Sequence, residues 1–113
     1  MNKQDKDLLD GAEKGDLKKV REAIEEGANI AAINSYGSNA LILAASRDHY
    51  EVAKYLVEKG CYVNVKQKHG WTPLMFASEN GNKNIAELLL NNGAEIDAKA
   101  FFIKVKVYLK KHL

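Results

Sequence analysis

Apolar and polar positions along this chain recur with a period of 33 residues. Slid against itself by that interval, the sequence aligns Leu8, Leu41 and Leu74; Ala44 and Ala77; Val52 and Ile85; Leu56 and Leu89. The glycines keep the same step, with Gly27, Gly60 and Gly93 in one column and Gly37 and Gly70 in another. Directly behind the first glycine column come Ala28, Cys61 and Ala94, then Ile30, Val63 and Ile96. Coincidence does not produce that many matches at one offset.

Each unit reads locally as turn, helix, helix, loop. In the third, Thr72 caps a helix that opens on Pro73, where the missing N–H would be unused in any case. Leu74, Ala77 and Ser78 give that helix an i, i+3, i+4 stripe, and it stops near Asn80-Gly81. A second helix is predicted from about Lys83 to Asn91, with Ile85, Leu88 and Leu89 on one face, and Gly93 ends it in a left-handed conformation. The second unit repeats the pattern from Asn39 through Leu41, Ala44 and Ala45, then Val52, Tyr55 and Leu56, to Gly60. In the first unit the apolar positions are Leu8, Leu9 and Ala12, then Leu17, Val20 and Ile24. A helix pair with one apolar stripe per helix cannot bury itself, so the units must stack. The expected fold is therefore all-α, a solenoid of helix-turn-helix units.

These residues resemble the ankyrin repeat. The third unit carries Gly70-Trp71-Thr72-Pro73-Leu74, Ala77, Gly81, Ile85, Leu88-Leu89, Gly93-Ala94 and Asp97 of that pattern. The second keeps Gly37, Leu41, Ala44-Ala45, His49, Val52, Leu56, Gly60 and Asn64, but has Asn39-Ala40 for Thr-Pro and Asp48 for the mid-repeat glycine. The first resembles an N-terminal capping repeat with Gly15-Asp16 and Gly27-Ala28-Asn29. Where the family usually has a histidine after the leucine, this chain has Ile42 and Met75. The resemblance covers about residues 5–98 and divides a single domain, 1–113, into a capping repeat at 1–33, repeats at 34–66 and 67–99, and a degenerate segment at 100–113.

Composition and charge then narrow the reading. At 113 residues and 12.6 kDa, with 46% apolar and 28% charged residues, the chain is a single folded domain too small for both a core and a deep enclosed cavity. The formal charge is only +2, which makes no case for nucleic acid, but it is unevenly placed. Residues 1–99 hold 13 basic against 15 acidic residues, net −2, whereas Lys104, Lys106, Lys110 and Lys111 give 100–113 a net +4. In that segment Ile103, Val105, Val107 and Leu109 alternate as in a strand, while Val105, Tyr108, Leu109 and His112 would share a helix face; a short helix covering the last repeat is the expectation. One cysteine excludes an internal disulfide and a multi-thiolate zinc site, and a reducing compartment, the cytoplasm, is the simplest home. The first seven residues are charged where a signal peptide would be apolar, and no run of 18 apolar residues could span a membrane.

Catalytic and cofactor chemistry finds no support. Ser46, Asp48 and His49 suggest a triad, but positions i, i+2 and i+3 at a helix end do not set a base between nucleophile and orienter, so they read as polar residues of a turn. His49, His69 and His112 lack paired metal spacing, and no phosphate-binding glycine loop occurs, so no cofactor or metal is expected. Cys61, between Ala28 and Ala94 in its column, reads as a small core residue.

What remains is a surface. The resemblance implies a groove lined by hairpin tips and the open side of each first helix, where family members bind other proteins. Carried over by position, its residues are Ser35, Tyr36, Ser38, Ser46 and Arg47 in the second unit, and Lys68, His69, Trp71, Glu79 and Asn80 in the third, with Phe101 and Phe102 at the following tip. Trp71 lies outside the apolar stripe of its helix, as an interface residue would. The function expected is a non-enzymatic module that binds another protein as a monomer. The alternatives are an inhibitory or immunity subunit of an enzyme, and pairing of two copies through residues 100–113.

Overall fold

The computed structural model describes residues 1–96, and these form six helices with no strand among them. They fall in pairs: α1 (Lys3–Lys14) with α2 (Leu17–Glu25), α3 (Ala40–Ser46) with α4 (Tyr50–Glu58), and α5 (Pro73–Glu79) with α6 (Lys83–Asn91). Besides its own partner, each helix packs on its counterpart in the adjacent pair, α1 on α3 on α5 and α2 on α4 on α6. The result is two parallel helix layers, with the core running between successive pairs. The segment expected at 100–113 lies outside the described residues.

Capping follows the sequence closely. Asn39 Oδ1 accepts from Ile42 N at 2.9 Å and Thr72 Oγ1 from Met75 N at 3.2 Å, each opening an inner-layer helix. α1 starts farther back in the period and is capped by Asn2, whose side chain accepts from Asp5 N. The outer helices all close alike: the N–H groups of Ala28, Cys61 and Ala94 reach the carbonyls of Ala23, Leu56 and Leu89, a wrap made possible by left-handed glycines at 27, 60 and 93. The turns inside the pairs match as well, with the N–H groups of Asp16, His49 and Asn82 donating to the carbonyls of Gly11, Ala44 and Ala77. At that turn Asp48 adopts φ 60°, the left-handed conformation that Gly15 and Gly81 hold in the other units.

The core is made of the period's columns. Leu8, Leu41 and Leu74 are buried, as are Ala23, Leu56 and Leu89, and Val20 and Ala53. Ile42 and Met75, standing where the resemblance implies histidine, are each only 1% exposed, so that position is apolar packing here and holds no polar network. Cys61 is buried, its Sγ accepting from Asn39 Nδ2 at 3.5 Å, and burial pushes its thiol up to about 11 from an ordinary 9.0.

Polar side chains then fix one pair on the next. His49 Nε2–H donates to the carbonyl of Glu13 at 2.9 Å; a carbonyl can only accept, which sets the tautomer. Asn80 Nδ2 donates to the carbonyl of Ser46 at 2.9 Å, and Asn82 Nδ2 to that of Ala45. Asn64 donates to the Gly93 carbonyl and accepts from Glu95 N.

Two measurements test this account. A methyl at Gly15 would come within 2.4 Å of the His49 ring, whereas one at Gly27 meets nothing within 4 Å, although both residues have positive φ. Gly27→Ala should therefore cost about 1–2 kcal/mol in urea unfolding from backbone strain alone, and Gly15→Ala about 1–3 kcal/mol more; equal losses would show that the His49 contact does not hold the first two pairs together. For Cys61, the unfolded chain binds fewer protons than the folded one between pH 9 and about 11. The stability from keeping this thiol neutral is thus complete below pH 9 and lost as pH rises toward 11, about 2–3 kcal/mol in all. Cys61→Ala should show a correspondingly flatter decline over that range when the two proteins are compared by denaturant titration.

Candidate functional site

The period that builds the core also selects one solvent-facing side of the inner helix layer. On α3 and its C-cap the residues left partly or fully open are Leu43, Ser46 and Arg47, and 33 positions later Phe76, Glu79 and Asn80 are open too, joined on α5 by a half-buried Ser78. Their counterparts on α1 are Asp10, Glu13 and Lys14. Spacings of i, i+3 and i+4 place each trio on one helix face, so three columns run side by side across the stack.

The first column begins charged and turns apolar. Lys19 and Lys14 hydrogen-bond the Asp10 carboxylate and hold its pKa below the usual value. Leu43 and Phe76 follow, both half-buried, and the Phe76 ring meets Trp71 with centroids 5.1 Å apart and planes tilted by 43°, a favoured aromatic geometry. In the other columns Arg47 reaches Glu13 at 3.4 Å, both largely exposed, a contact of little energetic weight. A hollow of about 570 Å³, open to solvent, lies between α1, the tip before α3, and α3 itself, with Lys6, Asp10, Glu13, Ser35 and Leu43 in its walls.

The hairpin tips flank this side. In the first, Asn34 Oδ1 accepts from Tyr36 N at 2.9 Å and from Ser38 N at 3.0 Å; in the second, Gln67 Oε1 accepts from His69 N and Trp71 N. One side chain thus ties each tip from within, as the short polar residues of Asx turns do. The tips are tied to each other by Lys68 N donating to the Tyr36 carbonyl at 2.9 Å, and a side chain on Gly37 would strike the Lys68 backbone at 3.1 Å.

Of the residues carried over by position, Ser35, Tyr36, Arg47, Lys68, His69, Glu79 and Asn80 are exposed, Tyr36 by 65%. Trp71 is half-buried, with its ring against Phe76, and Ser46 is half-buried with its hydroxyl donating to the Leu43 carbonyl at 3.0 Å. Ser38 does not belong with them: it is 6% exposed, and both its N–H and its carbonyl are used by Asn34 to close the tip. Asn80 is open to solvent, yet its amide holds the neighbouring pair. Phe101 and Phe102 lie outside the described residues. Sequence reading passed over Leu43 and Phe76, although both were findable: each is apolar, off the buried stripe of its helix, and one period from the other.

No catalytic pairing forms at the turn, where the Ser46 hydroxyl and the His49 imidazole are directed to separate backbone carbonyls. Among the described residues no group of three His, Cys, Asp or Glu could hold a metal ion, and no helix is long and apolar enough to cross a membrane.

Compared with protein families, residues 8–100 match the model for ankyrin repeats in three copies. No curated protein matches the chain significantly.

The tip geometry carries a prediction of its own. Asn34→Ala removes the acceptor of two N–H groups and should cost about 1 kcal/mol in stability, while amide exchange at Tyr36 and Ser38 accelerates and that at core amides such as Leu56 keeps its rank. Unchanged exchange at the tip would mean that Asn34 does not hold it.

Proposed function

The chain belongs to the ankyrin repeat family, and from that premise we propose that it is a non-enzymatic module that binds another protein across the tips and inner-layer face of its second and third units. Proteins built of such repeats are generally protein-protein interaction modules. The observation that carries the reading for this chain is the apolar ledge of Leu43, Phe76 and Trp71, partly open to solvent, together with an exposed Tyr36 at the first tip. Aromatic side chains of this kind dominate the energetics of many interfaces, because they cover much area and have few rotors to immobilise. The tips that hold them are pinned by their own hydrogen bonds, which limits the entropy lost on association. We place the module in the cytoplasm, as a monomer, in keeping with a single buried thiol. The contacts we assign to the partner are Ser35, Tyr36, Arg47, Lys68, His69 and Trp71, together with Leu43 and Phe76; Ser46, Glu79 and Asn80 border them.

Affinity capture from the source cell, with a Trp71→Ala and Tyr36→Ala double variant as control, isolates the partner. With that partner in hand, Trp71→Ala alone should weaken binding by about 2 kcal/mol, roughly thirtyfold, while thermal unfolding stays a single cooperative transition. Full affinity in the variant would remove Trp71 from the interface, and a broadened transition would make it a core residue instead.

A further inference from the structure

The distribution of carboxylates around the ledge is uneven in a way that selects a ligand. From Gly27 to Arg47, and again from Lys59 to Ser78, the sequence contains no acidic residue. Those stretches include both hairpin tips and nearly all of α3 and α5. The second tip carries Lys66, Lys68 and His69, all exposed, and among the described residues none of the three has an ion-pair partner. Lys68 is also positioned: its N–H is bonded to the Tyr36 carbonyl and the stem of its side chain lies over Gly37, so the residue stands against the first tip as well as on the second. Two lysines and a ring N–H donor therefore border an aromatic ledge, with no carboxylate paired to them among the described residues.

Among the described residues the cations of this strip are confined to the second tip, since Arg47 on α3 shares its charge with Glu13. A brief acidic stretch matches that extent. We infer that the tips of the second and third units receive an acidic polypeptide segment bearing an aromatic or large aliphatic side chain, with its carboxylates at Lys66, Lys68 and His69 and its apolar group against Tyr36, Trp71 and Phe76. This rests on the protein-binding reading and adds to it the chemistry of the partner. Complementary charge at the rim of an apolar contact raises the encounter rate and excludes partners of the wrong sign.

The test is panning of a phage-displayed library of random dodecapeptides on the full chain. Enriched peptides should carry Asp or Glu beside an aromatic or large aliphatic residue, and a fluorescein-labelled peptide of the enriched consensus should lose about tenfold or more in affinity against the Lys66→Glu, Lys68→Glu double variant. Lys66→Gln, Lys68→Gln should lose less, high salt should weaken the wild-type complex, and circular dichroism should show unchanged melting for both variants, whose substituted side chains are exposed. Enriched peptides without acidic bias, or binding indifferent to the charge reversal but dependent on Trp71, would overturn the inference and leave the protein-binding reading in place. Tighter binding of oligo-dT, abolished by the same reversal, would overturn it in favour of nucleic acid. Binding of peptide and captured partner alike that ignores Trp71, Phe76 and Tyr36 would remove the protein-binding reading itself.

Discussion

No helix pair in this chain can bury its own apolar stripe, and the rest of the structure follows from that. Leu41, Leu56, Ala45 and Ala53 in the middle unit, which has a pair on each side, are wholly buried. In the third unit Leu89 is as buried as Leu56, but Ser78 and Ala86 are half-buried where Ala45 and Ala53 are not exposed at all, and Ile96 is 49% exposed where Val63 is buried. Burial here is a property of neighbours rather than of residues, as expected when contacts extend only one unit along a stack.

Apolar burial alone would let the pairs slide, and polar groups prevent it. A helix leaves its last carbonyls without intrahelical donors. In α1 and α3 those carbonyls, at Glu13, Ala45 and Ser46, accept from His49, Asn82 and Asn80 of the following pair. The ends of α1 and α3 are therefore completed by the next unit, so the same bonds that satisfy a local requirement set the register of the stack. Asn64 does similar work between the loops that leave α4 and α6. Substituting any of these side chains would leave the local helix intact and loosen its seating.

Much of this was legible in the sequence, and what was not has a physical reason. The caps Asn39 and Thr72, the bounds of α6 and the glycine closures are local chemistry, readable from a few adjacent residues. Helical period likewise told the inward stripe from the rest. It does not tell which of the remaining positions face the open side and which are drawn into contacts by a neighbouring unit. Hence Ser38, at a tip and polar, proved to be buried scaffolding, Asn80 proved to be a cross-link as well as a surface residue, and Leu43 and Phe76 went unnoticed until the columns were seen side by side. Asp48 is a different case: an aspartate tolerates the left-handed turn its glycine counterparts adopt, so the departure from pattern left the backbone unchanged.

The same architecture underlies the use proposed for the open side. Each unit contributes one residue to each column, so the surface varies stepwise along the stack while its backbone repeats. Asp10 with its two lysines gives way to Leu43 and then to Phe76 with Trp71, a passage from neutralised charge to apolar area across neighbouring units. Closing such a surface into a reaction chamber would require chain to cross over it, and between the helix pairs the connections instead run along its edge as tips, held by Asn34 and Gln67. What the tips add is fixed position: a lysine whose backbone is bonded to the preceding tip and whose stem rests on a glycine presents its charge with less freedom to lose than one on a free loop. On the proposed reading, selectivity on this face comes from which side chains stand at the pinned positions, and at the second tip those are cations beside an indole.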